Sequence, residues 1–195
     1  MISALLKKHS FDTVFDSQKV YRLMLEAMSN PTRIVDIKNQ ADKLFGNYPE
    51  LLVVAMTLLD NEISFYACEN HQLSDEIASL TLAKKEGIEL ADYIFICDPN
   101  DIKKAIENVK SGTLADPHKS AIVIIRDNSI PACYVTFCGP GIDGRSTIQI
   151  SQIVKDTIIF RDMQNYEYPQ GIDLLVISES GKLFAIPRLV QMEIE

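Results

Sequence analysis

The sequence lacks any apolar run long enough to cross a bilayer. Its longest apolar runs, such as residues 51–59, fall far short of the roughly 20 residues that a transmembrane helix needs. In the opening segment Met1–Lys8 the lysines follow a very short apolar piece, which is the reverse of the order in a secretory signal peptide. We therefore expect a cytoplasmic protein that does not associate with a membrane.

Basic residues are also few. Lysine and arginine total 19 against 27 aspartates and glutamates, so the net charge is −8, and no basic cluster is longer than a pair. Proteins that bind nucleic acids in general need a basic surface that displaces counterions from the phosphates. The composition argues against nucleic acid as a partner, but it leaves room for a small anion held by one or two arginines.

Cysteine and histidine are scarce, which argues against a metal site. No two of the four cysteines form a C-x-x-C pair; they are Cys68, Cys97, Cys133 and Cys138. A zinc site needs clustered ligands, whereas the three histidines lie far apart, at His9, His71 and His118. We expect the cysteines to be small buried residues in a reducing compartment, and we predict no bound metal.

What is present predicts one α/β domain spanning residues 1–195. The length allows a substantial core, and 47% hydrophobic and 24% charged residues are ordinary for a globular protein. Apolar periodicity and capping residues predict helices from Asp16 or Ser17 to Asn30, 49–59, from a Ser74 cap to about Lys85, 102–109 and 155–165. Strands are expected at 33–37, 63–68, 91–97, 121–125, 132–138, 147–153, 172–177 and 183–186. This order favours helices layered on a mixed central sheet.

The last two of these strands are predicted to form a hairpin that closes the chain. A polar turn, residues 178–182, separates them, and Pro187 ends the second strand because proline cannot donate to a ladder. Asp173 and Arg188 then stand at the ends of the two strands. Arginine suits bidentate capture of a phosphate or carboxylate, so the pair is a candidate anion site. A purely structural pairing of the two residues is the alternative, and it stays open.

A glycine-rich loop, residues 139–144, formally spells G-x-G-x-x-G. The context does not suit a dinucleotide site, because the loop leads into a period-two run and Pro140 removes an amide that would face a phosphate. We expect Gly139 and Gly141 to serve a turn that needs positive φ. Arg145 directly follows the loop and is a further candidate for anion binding or an interface. Arg33 and Arg126 have similar loop or strand-end positions, and the sequence does not say whether any of these arginines converge.

No autonomous catalytic set is visible in the sequence. A G-x-S-x-G nucleophile elbow is absent, and His118 stands alone in a polar loop. A pyridoxal-phosphate enzyme would need a Schiff-base lysine, yet Lys155 and Lys182 lack a supporting signature. We name no catalytic residue and predict no cofactor.

The end of the chain carries Tyr168-Pro169-Gln170-Gly171-Ile172-Asp173, then an apolar strand, a turn and Ile186-Pro187-Arg188. Other notable segments are Tyr21-Arg22-Leu23, Ala27-Met28-Ser29-Asn30-Pro31, Thr57-Leu58-Leu59-Asp60, Gly112-Thr113 through Pro117 and Gly139-Pro140-Gly141-Ile142. Taken in order along the chain, these motifs resemble those of the PhnH family, a subunit of the bacterial carbon–phosphorus lyase system, whose C-terminal signature is an aromatic residue, Pro-x-Gly-Ile-Asp, an apolar strand, a turn and Ile-Pro-Arg. The chain departs from the family pattern at Thr32, His118 and Leu189-Val190.

The resemblance implies a three-layer α/β/α domain shaped like the large domain of type I pyridoxal-phosphate transferases, but without that cofactor. It implies a homodimer when isolated and a place in the lyase core beside the G, I and J subunits. With the G, I and L proteins, such a subunit supports formation of ribose 1-methylphosphonate 5-triphosphate from ATP and methylphosphonate. The resemblance transfers no catalytic residue.

Three hypotheses follow from this reading. The leading one is an accessory subunit of that transferase that acts by assembly more than by its own chemistry. In the second, the chain itself binds ATP or the phosphonate through arginines at strand ends, such as Arg188. The third is a stand-alone pyridoxal-phosphate enzyme, which the missing Schiff-base signature disfavours.

Overall fold

The computed structural model describes residues 9–193. Its helices are α1 (Phe15–Ser29), α2 (Lys38–Ala41), α3 (Pro49–Leu58), α4 (His71–Thr81), α5 (Ile102–Asn108) and α6 (Gln152–Asp162). Its strands are β1 (Val35–Asp36), β2 (Ser64–Ala67), β3 (Lys84–Lys85), β4 (Tyr93–Ile96), β5 (Ile122–Arg126), β6 (Cys133–Cys138), β7 (Ser146–Ile150), β8 (Asp173–Ile177), β9 (Lys182–Ile186) and β10 (Gln191–Glu193).

The central sheet has seven strands in the order β1-β9-β8-β5-β4-β2-β3. Strands β8, β5, β4, β2 and β3 are parallel, whereas β9 runs antiparallel to β8 and to β1. All five residues of β8 are buried, which explains its unbroken apolar run, because a central strand is covered on both faces. The predicted mixed α/β sheet and the closing hairpin are confirmed.

Two hydrophobic cores lie on opposite faces of this sheet. One core joins the sheet to helices α1 to α4, with Val20, Leu51 and Leu73 among its buried residues. The other core joins the sheet to α5, α6 and a second, smaller sheet, with Ile106 and Ile158 among its buried residues. Helices therefore cover both faces, and the larger sheet is the middle layer.

The second sheet was not predicted. It has three antiparallel strands in the order β10-β6-β7. The expected single strand over residues 147–153 is too long, because β7 ends at Ile150 and the Ser151 hydroxyl caps α6 by accepting from the Val154 amide at 3.1 Å. Strand β9 ends before Pro187 as predicted, but the further strand β10 beyond it was not predicted.

The expected limits of α4 were also wrong. The helix begins at His71, because the Asn70 side chain accepts from the Leu73 amide at 3.0 Å and caps it ahead of Ser74. It ends at Thr81, and Leu82 adopts a left-handed conformation with φ 61°. Residues 84–85 then form the edge strand β3, because their backbones pair with β2.

The start of α1 differs for a similar reason. The Asp12 carboxylate accepts hydrogen bonds from the Val14 and Phe15 amides, each at 2.8 Å, so it caps the chain ahead of the helix. Asp16, one of the two expected caps, lies inside the helix and is buried. Its carboxylate is bonded by the Lys43 ammonium at 2.7 Å, a contact across 27 positions that a local pattern does not reveal.

Candidate functional site

Asp173 and Arg188 form the ion pair that the sequence left open as a structural alternative. The Arg188 Nη2 lies 2.5 Å from Asp173 Oδ2, and its Nε donates to Oδ1 at 3.3 Å. The backbone amide of Arg188 also donates to Oδ1, at 2.8 Å, and Nη1 donates to the Pro117 carbonyl. Each guanidinium nitrogen therefore has an acceptor within the protein.

The position of this pair is unusual for a ligand site in an α/β sheet. Asp173 is the first residue of β8, and Arg188 follows the end of the antiparallel strand β9. Both lie at the amino edge of the parallel strands, whereas ligands of open α/β sheets bind outside the carboxyl ends. An incoming anion would compete with Asp173 for a side chain that is 18% exposed. Anion binding by Arg188 stays a prediction.

Segments that are distant in sequence meet around this pair. The Gly171 amide donates to the Ser111 carbonyl at 3.0 Å, and the Gln170 side chain donates to the Gly112 carbonyl at 3.1 Å. Together with the Pro117 contact of Arg188, these bonds join the loop after α5 to the terminal hairpin. We call the set formed by residues 111–117, 170–173 and 187–190 the motif junction.

The glycine-rich loop packs against the same junction. Gly139 has φ 133°, and a Cβ there would lie 2.9 Å from the Leu189 carbonyl oxygen. Gly141 has φ 83°, and a Cβ there would lie 2.6 Å from the Ser29 carbonyl oxygen. Both the positive φ and the close backbone approach require glycine, as expected for a turn. The loop leads into β7 and not into a helix, so it has the context of a turn rather than of a dinucleotide site.

The remaining arginine candidates do not converge on the Asp173–Arg188 pair. Arg145 is 73% exposed and bonds Glu193 at 2.7 Å on the small sheet. Arg33 bonds Glu26 at 2.8 Å near the end of α1. Among the described residues, these side chains therefore form separate ion pairs instead of one basic pocket.

Sequence reasoning noted Arg126 at a strand end but missed the buried ion pair that it forms at the carboxyl edge of the sheet. Arg126 ends β5, and its Nε lies 2.5 Å from Oε1 of Glu50, which is only 1% exposed. The Arg126 guanidinium also stands 5.2 Å from the centre of the Tyr48 ring. The available signal was Glu50 in the first turn of an otherwise apolar helix, an acidic residue that a buried position must pair.

The chain reverses its direction of winding at strands β2 and β4, next to this ion pair. From β2 the chain passes through α4, on one face of the sheet, to β3 on one side. From β4 it passes through α5, on the other face, to β5 on the opposite side, so β2 and β4 flank a topological switch point. A cavity of about 480 Å³ lies there, and we call it the switch-point crevice; it is lined by Tyr48, Cys68, Glu69, Asn70, Cys97, Asp98, Pro99 and Asp101.

The electrostatics of this crevice disfavour a phosphate. Burial, together with the neighbouring carboxylates of Asp98 and Glu69, raises the pKa of Asp101. Burial raises the pKa of the Cys97 thiol to about 11, so the thiol is protonated at neutral pH. The crevice therefore exposes carboxylates and a neutral thiol to a ligand.

A larger concave surface lies at the same edge, outside β1, β8 and β5. Its volume is about 930 Å³. We call it the carboxyl-edge groove; its walls come from the flanks of β1 (Ile34, Lys38), residues 127–131 after β5, residues 149–151 at the end of β7, and Val176, Ser178, Glu179, Ser180, Lys182 and Phe184 of the hairpin. Apart from Lys182, which the sequence analysis weighed as a Schiff-base lysine, none of these residues was singled out from the sequence as part of a site.

Two further observations concern metal ions and membranes. Within residues 9–193, no group of three or more His, Cys, Asp or Glu side chains is placed to hold a metal ion. No helix in that range is long and apolar enough to cross a bilayer.

Cys68 is buried, whereas Cys97, Cys133 and Cys138 are partly exposed, so the expectation of buried cysteines holds for only one of the four.

Comparison with known proteins adds the family. The profile of the family described as "Bacterial phosphonate metabolism protein (PhnH)" matches residues 9–193. A protein of Stutzerimonas stutzeri described as "Putative C-P lyase subunit protein HtxG" is 25% identical over 179 residues, which cover 91% of this chain and 86% of that protein. The family match spans all of the segments that build the motif junction. The chain therefore belongs to the PhnH family of bacterial phosphonate metabolism proteins.

Proposed function

We propose that the chain is a subunit of the carbon–phosphorus lyase core and acts mainly by assembly. The family match over residues 9–193 carries this proposal, and the name of the Stutzerimonas relative supports it. In this role the chain works in the cytoplasm with the G, I, J and L proteins. It supports formation of ribose 1-methylphosphonate 5-triphosphate from ATP and methylphosphonate, and it is a homodimer when isolated. A single domain shaped like the large domain of pyridoxal-phosphate transferases belongs to the same proposal.

The bonds that the strand-end arginines make within the protein favour an assembly role over nucleotide binding. Arg188 is bonded to Asp173 and Pro117, and Arg126 is bonded to Glu50, so both arginines hold parts of the scaffold together. A triphosphate would have to separate one of these pairs, and leaving a buried carboxylate without its partner is costly. Arginines used in this way favour a structural role for the sheet edges.

The outer face of α1 offers an apolar surface for assembly. The side of this helix that faces the core carries Val20, Met24 and Ala27. Tyr21 and Leu25, one turn apart on a neighbouring face, are both more than half exposed. Tyrosine is enriched at protein interfaces because it combines a large apolar ring with a hydroxyl group. We assign this face to contact with another subunit of the lyase core.

Co-purification of the chain with the G, I and J subunits tests the proposal. The wild-type chain is expected to be retained, and Leu25→Glu is expected to reduce retention at least tenfold, because it places a charge in an apolar contact. Met163→Glu is the matched control, since Met163 is an exposed apolar residue that follows α6 on the other face of the sheet.

Failure of the wild-type chain to associate, under conditions in which the other subunits assemble, would contradict the subunit role. Retention of Leu25→Glu at the wild-type level would instead move the interface away from α1 and leave the subunit role intact. Circular dichroism of both variants checks that the exposed substitutions leave the fold unchanged.

A further inference from the structure

The carboxyl-edge groove has the size and position of a small-molecule site. Its volume of about 930 Å³ lies within the range of roughly 300–1,000 Å³ that ligand pockets occupy. It lies outside the carboxyl ends of β5 and β8, the edge at which open α/β sheets bind ligands. The motif junction, by contrast, lies at the amino edge, so the two features are separate.

The groove offers apolar contacts that the fold itself leaves unused. Ile130, in the segment after β5, is 86% exposed, and Ile34, just before β1, is 53% exposed; both line the groove. Beneath them, Val176 and Phe184 of the hairpin line the groove while also packing in the core. Aliphatic and aromatic side chains in one concavity favour a ligand with an apolar body, because burying that body removes apolar surface from water on both sides.

The carboxylates of the groove are already bonded. Asp127 accepts from the Ser129 amide at 3.0 Å and from the Ser151 hydroxyl at 2.6 Å. Glu179 lies 3.3 Å from the Arg126 guanidinium and accepts from the Asn128 side chain at 3.3 Å. The Asp127 carboxylate is thus held by uncharged donors, and the Glu179 carboxylate shares the Arg126 guanidinium with Glu50.

The two lysines of the groove, Lys38 and Lys182, differ in their partners. The Lys182 ammonium bonds Asp36 at 2.7 Å, and the same carboxylate accepts from the backbone amide of Lys38 at 2.9 Å. Within residues 9–193, the Lys38 ammonium has no hydrogen bond or ion pair of its own. The Lys38 ammonium is therefore the charged group of this wall that is left free to pair with an anionic group of a ligand.

We propose that the carboxyl-edge groove binds a small organic anion that has an apolar body. The body lies against Ile34, Ile130 and Phe184, and the acidic group faces the Lys38 ammonium. This inference concerns a second role of the chain and does not depend on the assembly function.

Two fluorescent probes with the same ring system test the proposal on the full chain. One is 8-anilinonaphthalene-1-sulfonate, which carries an anionic group, and the other is N-phenyl-1-naphthylamine, which does not. Ile130→Ser is expected to weaken binding of both probes about tenfold, because it removes apolar contact. Lys38→Gln is expected to weaken only the sulfonate, about fivefold, and to reduce the salt dependence of its binding.

Matched controls separate the groove from general surface effects. Leu90→Ser changes an exposed leucine outside the groove, and Lys84→Gln changes an exposed lysine on β3, at the opposite end of the sheet. Both controls are expected to bind both probes as the wild type does. Unfolding midpoints of all variants are compared to show that the folded state is retained.

Several outcomes would overturn the proposal. Equal effects of Ile130→Ser and Leu90→Ser would remove the groove as the site. A loss of both probes in Lys38→Gln would remove the assignment of the anionic end. Unchanged probe binding by Ile130→Ser, with loss of co-purification with the other lyase subunits, would make the groove a protein interface instead.

Discussion

At the residue scale, buried arginines organise the structure. Arg161 lies in the interior with 2% of its surface exposed, although it carries a full positive charge. Its Nη2 donates to the Val190 carbonyl at 2.7 Å, and its Nη1 donates to the Ile186 and Pro187 carbonyls, each at 3.3 Å. These bonds fix the segment that carries Arg188 and abuts Gly139. From the protein interior, Arg161 therefore holds the 187–190 segment of the motif junction in place.

Replacing Arg161 should lower stability more than replacing an exposed arginine. Arg161→Met keeps much of the side-chain volume but leaves buried carbonyls without a donor, so we expect a loss of about 3 kcal/mol in the free energy of unfolding. Arg145→Met should cost less than about 0.5 kcal/mol, because Arg145 is largely exposed. Urea denaturation of both variants measures the difference, and equal losses would contradict this role of Arg161.

At the element scale, the starts of β2 and β4 are held together by Asp92. Its Oδ2 accepts from the Ser64 amide at 3.0 Å and from the Ser64 hydroxyl at 2.6 Å. Its Oδ1 lies 2.5 Å from the Lys110 ammonium. Burial raises the pKa of Asp92, but the hydrogen bonds from Lys110 and Ser64 outweigh burial, so the net pKa is lowered.

This lowered pKa predicts part of the acid sensitivity of the fold. The stabilisation from ionised Asp92 is present above the ordinary carboxyl pKa and is lost as the pH falls through the lowered value. Between about pH 6 and about pH 3, the wild type should therefore lose more free energy of unfolding than Asp92→Asn does. Urea denaturation at both pH values measures this, with Asp143→Asn in the exposed glycine-rich loop as control. The same loss in the wild type and in Asp92→Asn would contradict the prediction.

Local sequence patterns predicted an element well where one buried face of a helix, or a strand covered on both faces, determines the spacing of apolar residues. The run at residues 173–177 is apolar throughout because β8 is buried on both faces, and its hairpin with β9 was predicted correctly. Prediction was weaker where a segment becomes a strand only because it pairs with another strand that is distant in sequence. Residues 84–85 are polar and look like the end of a helix, yet they form a strand because β2 lies beside them. Strand β10 likewise exists only because β6 is available as a partner.

At the scale of the whole molecule, sequence motifs that are far apart in the chain contact one another in the fold. The loop at Gly139 and Gly141 meets residues 29–31 and 189–190, which lie more than a hundred positions before it and about fifty after it. No local periodicity encodes such contacts, so the sequence indicated which residues were unusual but not that they meet. The carboxyl-edge groove escaped prediction for the same reason, since its walls come from four separated segments that only folding brings together.

The direct test of the central claim is product formation by a reconstituted system. The G, I and L proteins, supplied with ATP and methylphosphonate, should form ribose 1-methylphosphonate 5-triphosphate at a substantial rate only when the wild-type chain is added. The chain alone should form none. Product formation at an undiminished rate without the chain, or turnover by the isolated chain, would contradict an accessory subunit that acts by assembly.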